Sequence, residues 1–272
     1  MQEKIITIYC VCADFLSAYG HKDDPQATMT DAEVMTVALV AATFFVGNQE
    51  LSRKFLHEHG YIPTMLSKSR FNRRLHALPD TLWQALWSVL AECAKQCNPT
   101  GEYVVDSCPV PVCDNIRIRR CQLYQGETYR GRIASKRRFF YGLKVHLLIA
   151  GNGQPVEIVL APGSEADVSV FRSLPLDLPE AAEIHADAAY TDYTVEDFLG
   201  EHAHLDLIAA RKKNSTRQVP GWVSYLSQYT RKRVETTFSQ INLRFAKCIH
   251  AVTPRGFELK VFLSVLAFAI TG

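Results

Sequence analysis

Residues 139–161 constrain the chain most, because they can be read only as part of a sheet. In residues 139–150, Leu143, Val145, Leu147 and Ile149 fall on one face, while Lys144 and His146 fall on the other. Gly151-Asn152-Gly153 supplies a turn, and residues 155–161 read as a second strand, which predicts an antiparallel hairpin. A hairpin alone is marginal in water, so further strands must cover it. Candidates are residues 102–105, ending at Asp106, then 184–187 and 205–209. Between and after them, residues 191–202 read as a helix. Residues 231–247 read as another, with Val234, Phe238, Ile241 and Phe245 on one stripe. Thr253 and Pro254 take cap and first-turn positions of a last helix running to Ile270. Strands alternating with helices in this order predict an α/β fold, a mixed sheet flanked by helices.

The first hundred residues follow a different pattern. Thr30, with Glu33 three places later, forms a capping box for a helix over 31–46. Asn48 caps a second helix through Glu58, ended by Gly60. Ser67 or Ser69 opens a third, carrying Arg70, Arg73 and Arg74, and residues 81–95 form a fourth. The expected division is therefore an all-helical N-terminal domain over 1–98 and an α/β domain over 99–272. The arginine-bearing third helix allows two readings of the first domain: a DNA-docking module or a plain helical bundle.

Charge is uneven along the 272 residues. The net charge is only +2, but residues 114–138 hold eight basic residues against two acidic ones. Arg117, Arg119, Arg120, Arg130, Arg132, Lys136, Arg137 and Arg138 would set up a local field that attracts polyanions. Tyr124, Tyr129, Phe139 and Phe140 interleave with them and suit stacking on bases; the bland alternative is a solvated loop. Lys144, Arg211-Lys212-Lys213 and Arg231-Lys232-Arg233 are further phosphate candidates. Eight cysteines without a CxxC pair argue against zinc. Residues 1–20 lack the compact apolar core of a secretory signal, so reduced thiols in a cytoplasm are expected. The apolar runs 34–46 and 261–270 are too short to span a bilayer, and no membrane partner is expected.

Three acids stand out by context. Asp106 follows Tyr103-Val104-Val105, Asp187 follows Ile184-His185-Ala186, and Glu235 sits four residues after Arg231 on an amphipathic helix. A carboxylate at the end of a core strand is costly unless it is paired or binds a cation. Three hard oxygen donors suit Mg²⁺ or Mn²⁺. Each also has an ordinary structural reading: a turn starter, a cap, or a surface partner of Arg231. Glu165 and Asp167, after Pro162-Gly163, read as helix-capping residues, and His146 as a sheet histidine near the edge of a site.

Taken in register, five stretches resemble DDE-type transposases of bacterial insertion sequences, most closely insertion sequence family 982. They are Val105-Asp106-Ser107, Phe139 through Leu147, Leu160-Ala161-Pro162-Gly163, Asp187-Ala188-Ala189-Tyr190, and Arg231 through Thr236. The resemblance covers roughly residues 30–270. It departs from a related Tyr-x₂-Arg-x₃-Glu-x₆-Lys pattern at Gln228 and Asn242, with Tyr229 beside the first and Arg244 or Lys247 as substitutes for the lysine. Ala188-Ala189 also replaces the family's usual glycine.

The resemblance implies an RNase H-like core with Asp106, Asp187 and Glu235 as catalytic metal ligands. Asp106 would bridge two Mg²⁺ ions (Mn²⁺ being the alternative), with Asp187 and Glu235 each binding one. Two such ions, about 3.5–4 Å apart, activate a nucleophile and stabilise a leaving oxygen. The implied activity is strand cleavage at the ends of the element followed by strand transfer. The implied partners are double-stranded DNA, as terminal inverted repeats and target, and a second copy of the chain in a synaptic homodimer. The implied setting is a bacterial cytoplasm. Two other readings stay open: an inactive transposase-derived DNA-binding protein, and a stand-alone RNase H-like nuclease.

Overall fold

The computed structural model describes residues 1–133, 137–245 and 249–272, with the side chains of residues 233 and 234 also outside the description. Expectations placed on Lys136, Arg233, Val234, Lys247 and Cys248 therefore lie outside the described residues. The chain divides into two compact units, Met1–Leu90 with Gln240–Gly272, and Ala91–Ser239.

The first unit is helical. It contains α1 (Gln2–Tyr19), α2 (Asp31–Phe44), α3 (Gln49–Glu58), α4 (Lys68–Ala77) and the start of α5 (Asp80–Gln96). Helix α2 begins with the expected capping box. Thr30 Oγ1 accepts from the Glu33 amide at 3.2 Å, and Glu33 accepts from the Thr30 amide at 2.7 Å. Nearly all of α2 is buried, so it forms the centre of this unit, with α1 and α3 against it. Helix α1 presents Ile5, Ile8, Cys12 and Leu16 inward at helical spacing. Residues from 240 onward also join this unit. The last helix, α9 (Pro254–Thr271), is capped by Thr253 Oγ1, which accepts from the Gly256 amide at 3.1 Å. It buries Phe257, Val261, Val265 and Leu266 and packs against α1 and α2.

The second unit is built on a six-stranded mixed sheet. Its strands are β1 (Glu102–Cys113), β2 (Arg130–Ile133), β3 (Arg138–Ala150), β4 (Pro155–Pro162), β5 (Glu183–Ala186) and β6 (Asp206–Ala209). β3 is antiparallel to β1 along one edge; β2 and β4 share its other edge. β5 and β6 extend the sheet in parallel beyond β1. The expected hairpin is β3–β4. Gly142 lies where β2 gives way to β4 and where β1 shifts register; a Cβ there would come within 2.3 Å of the Val110 carbonyl oxygen. One face of the sheet carries the unit's apolar core, including Tyr103, Val105, Leu148, Phe171, Ile184 and Tyr190. Short helices α6 (Asp167–Phe171) and α7 (Tyr193–Phe198) follow β4 and β5. The long α8 (Gly221–Arg244) follows β6. This is an RNase H-like α/β arrangement, with a helical region before it. Among the described residues, no single helix is long and apolar enough to cross a membrane.

Candidate active site

Strand alternation determines which side chains share a face. On β1, Tyr103 and Val105 enter the apolar core, so Glu102, Val104 and Asp106 point to the opposite face. On β5, Ile184 and Ala186 enter the core, so Glu183 and His185 share that opposite face, and Asp187 follows at the strand end. The parallel register pairs Glu102 with Glu183 and Val104 with His185. Continued two residues further, it brings Asp106 level with Asp187.

Asp106 lies within β1, which continues to Cys113; the expectation that the strand stops at Asp106 is corrected. The Ser107 amide donates to Asp106 Oδ1 at 2.7 Å. Burial pushes the Asp106 carboxyl up to about 6. The Asp187 and Asp167 charges push the same way, while the Ser107 amide and the Arg231 charge oppose them. Asp187 caps a short 3₁₀ turn over Ala188–Tyr190, its Oδ1 accepting from the Ala189 amide at 2.7 Å. Each aspartate therefore has one oxygen fixed by backbone. Two acids in each other's field, oxygen-only and partly desolvated, fit a hard divalent cation.

Helix α8 carries the third acid. Ser227, Thr230, Thr237, Phe238 and Ile241 form its buried stripe. Thr230 Oγ1 donates to Glu102 Oε1 at 3.5 Å, and Thr237 Oγ1 donates to the Gly153 carbonyl at 3.2 Å. Arg231 flanks this stripe, and its charge reaches both Asp106 and His185. Glu235 is exposed, one turn beyond Arg231 on the same flank. Asp106, Asp187 and Glu235 are not among the groups whose ligand atoms lie within 4.8 Å of one another. Among the described residues those groups are His21, Asp23 and Asp31, and Glu102, Glu183 and His185.

Behind Asp106, on the core face, lies a polar cluster that sequence reasoning missed. Lys144 Nζ donates to Asp167 Oδ1 at 2.9 Å and to the Glu165 carbonyl at 2.7 Å. Ser107 Oγ donates to Asp167 Oδ1 at 3.3 Å, and His146 Nδ1 lies 3.3 Å from the Tyr190 hydroxyl. Burial holds His146 well below its ordinary value, so the ring is neutral. Two expectations are corrected here. Asp167 is the first residue of α6 rather than its cap, which is Ala166. Lys144 is an internal partner of Asp167 and is largely buried, so it is not presented to a phosphate. The signal for this cluster was available in the sequence: Ser107 and His146 alternate onto the core face, where a polar side chain needs a partner.

The described part of the basic segment contains regular elements. Arg117, Arg119 and Arg120 are exposed on a 3₁₀ helix over Asn115–Arg120. Arg130 and Arg132 are exposed on β2, which lies in the expected insertion; Arg137 is exposed just before β3 and Arg138 at its first position. Arg130 pairs with Glu127 at 3.0 Å. The aromatic expectation is corrected in part. Tyr124 is buried and its ring lies 4.7 Å from that of Tyr129, which stands 6.3 Å from Tyr141. Phe140 is also buried, whereas Phe139 is exposed. Lys212, Lys213 and Lys232 are exposed. Arg211 is not: its guanidinium forms a forked pair with both oxygens of Glu196, at 2.6 and 2.7 Å.

A mixed sheet of this topology, with one carboxylate within β1 and another just after the neighbouring β5, and a long helix carrying a third, defines the chain as an RNase H-like α/β protein. Residues 96–251 match the family model described as a transposase DDE domain. That match spans more than half of the chain and includes Asp106, Asp187 and Glu235; the chain belongs to this family. A comparison with curated proteins found no match, and neither did a comparison with solved structures.

Proposed function

We propose that this chain catalyses DNA strand cleavage and strand transfer at the ends of an insertion sequence of the family 982 type, using Asp106, Asp187 and Glu235. The observation that carries the reading is that Asp106, on β1, and Asp187, directly after the neighbouring β5, lie within each other's field. Mg²⁺, or Mn²⁺, when bound supplies Lewis-acid activation of the nucleophile and stabilises charge on the leaving oxygen. The chain's own residues do the rest. Asp106 and Asp187 hold their oxygens in place through the Ser107 and Ala189 amides. Arg231 provides positive charge beside them for a scissile phosphodiester, and α8 supplies Glu235. Water attacks phosphorus and the P–O3′ bond breaks, leaving a 5′-phosphate and a free 3′-hydroxyl; that hydroxyl then attacks a phosphodiester of target DNA, forming a new P–O3′ bond as the target's own P–O3′ bond breaks and its 3′-oxygen leaves as a hydroxyl. The exposed arginines 117, 119, 120, 130, 132, 137 and 138, with Lys212, Lys213 and Lys232, hold the DNA backbone. Synapsis of two ends calls for two copies of the chain, working in a cytoplasm where the DNA lies.

A supercoiled plasmid carrying the element ends, incubated with Mg²⁺, tests this reading. Asp106→Asn, Asp187→Asn and Glu235→Gln should each abolish nicking and leave DNA affinity within about threefold. Metal-dependent nicking retained in all three variants refutes the assignment. No nicking by the unmodified chain, with end-specific binding intact, would identify an inactive DNA-binding relative. Nicking without strand transfer would identify a nuclease.

A further inference from the structure

Besides Asp106 and Asp187, the same sheet face carries a second constellation of ligand-bearing side chains. Glu102, Glu183 and His185 come together at the start of the β1–β5 pair through the register Glu102–Glu183 and Val104–His185. One ligand atom from each lies within 4.8 Å of the other two. His185 is 3% exposed, and among the described residues neither of its ring nitrogens has a hydrogen-bond partner. An unpaired buried imidazole is costly, and native structures rarely leave one without a partner. Its Nε2 stands 3.6 Å from Glu183 Oε2. That is too long for a hydrogen bond. It is close to the separation of roughly 3–3.5 Å expected for two donors sharing one ion with bonds of about 2.1 Å.

We propose that Glu102, Glu183 and His185 form a binding site for a divalent first-row transition ion, separate from the carboxylates assigned to DNA chemistry. Two carboxylate oxygens with one imidazole nitrogen suit Mn²⁺ or Zn²⁺ better than Mg²⁺, which favours an all-oxygen shell. Asp106 lies four residues further along β1, roughly 13 Å away at strand rise. Thr230 Oγ1 donates to Glu102 and orients that carboxylate, as hydrogen-bonded partners orient metal ligands elsewhere. Glu183 is 49% exposed at its side chain and forms the open rim, where solvent completes the coordination. The ion ties β1 to β5 and, through Thr230, to the helix that carries Arg231 and Glu235.

Mn²⁺ is the probe of choice, because the chain's cysteines would compete for zinc. The test is a Mn²⁺ titration of the full-length Asp106→Asn/Asp187→Asn protein, followed by electron paramagnetic resonance. One bound Mn²⁺ should remain, and its spin-echo modulation should show coupling to an imidazole nitrogen. Adding Glu183→Gln, on the exposed rim, should weaken that ion at least tenfold. In the chain with Asp106 and Asp187 intact, Glu183→Gln should lower the Mn²⁺ stoichiometry by one. Loss of all tight Mn²⁺ in the double variant, absence of nitrogen coupling, or indifference to Glu183→Gln overturns the proposal. These readouts are of binding alone, so they stand whether or not the cleavage reading survives the plasmid assay.

Discussion

Asp31 in the helical unit and Asp106 in the sheet unit are both carboxylates drawn out of water, and the two units treat them in opposite ways. Asp31 is 8% exposed at the start of α2. Burial alone would raise its carboxyl, but hydrogen bonds from Arg74 at 2.5 Å and His21 at 2.8 Å outweigh burial and hold it below the ordinary range. Among the described residues, Asp106 has no side-chain hydrogen-bond partner of that kind. Burial prevails there, a second aspartate adds to it, and Arg231 acts only through its field. The helical unit thus neutralises its buried acid from within. The sheet unit leaves its acid able to take a cation from outside, as a site must and a scaffold need not.

The largest effect that would break this comparison is on activity. Asp106→Asn should lower strand cleavage by at least about 10³-fold, a barrier increase of about 4 kcal/mol. It should leave the urea midpoint unchanged or slightly raised, because it removes one of two mutually repelling charges. A large loss of stability in this variant would make Asp106 a structural acid like Asp31. The converse substitution is Asp31→Ala, which strands Arg74 beside an apolar side chain. It should cost about 2–4 kcal/mol in urea unfolding, in line with buried pairs that lose one member. Arg74→Met should cost about the same, and the double variant should cost less than the two together. If Asp31→Ala is tolerated within about 0.5 kcal/mol, the ion pair is not what keeps that carboxylate buried.

Much of this was legible in the sequence, for physical reasons that also explain what was not. Capping is local chemistry, so Thr30 and Asn48 marked their helices directly. The β3–β4 hairpin was legible because alternation and a glycine turn agree. The full length of β1 was hidden by Pro109 and Pro111, which argue against a central strand. Pairing with β5 covers only Glu102–Val104, so beyond it β1 has an open edge that accommodates prolines. Helix α8 begins ten residues before the expected start because Trp222, Tyr225, Leu226 and Tyr229 are exposed, and an exposed apolar stripe gives no inward signal. The three acids were legible as residues that need a reason to be there. Their spatial relation was not, because it depends on the parallel register of β1 with β5 and on how α8 is rotated. The internal pairings of Lys144 with Asp167 and of Arg211 with Glu196 were equally hidden, since each joins residues at least fifteen positions apart.

A third acid sharpens the comparison by separating burial from function. Glu157, on β4, is pushed up to about 7, chiefly by burial; the Asp177 charge adds to this and the Lys95 charge opposes it. It belongs to no candidate site. Its folded value lies above the unfolded one, so the stability it contributes is complete below about pH 4.5 and is lost as pH rises through about 7. Glu157→Gln mimics the protonated form. It should therefore match the unmodified chain at pH 4.5 and exceed it at pH 8 by about 1 kcal/mol, after discounting for solvent screening of a half-buried side chain. Thermal unfolding across that range measures the difference. The expected gain, with cleavage at pH 8 unaffected, would show that a raised carboxyl alone does not mark a site. What distinguishes Asp106 would then be its second carboxylate and neighbouring cation on a shared face. A Glu157→Gln variant that stays parallel to the unmodified chain at every pH would mean that Lys95 already compensates Glu157, making it another internally satisfied acid like Asp31.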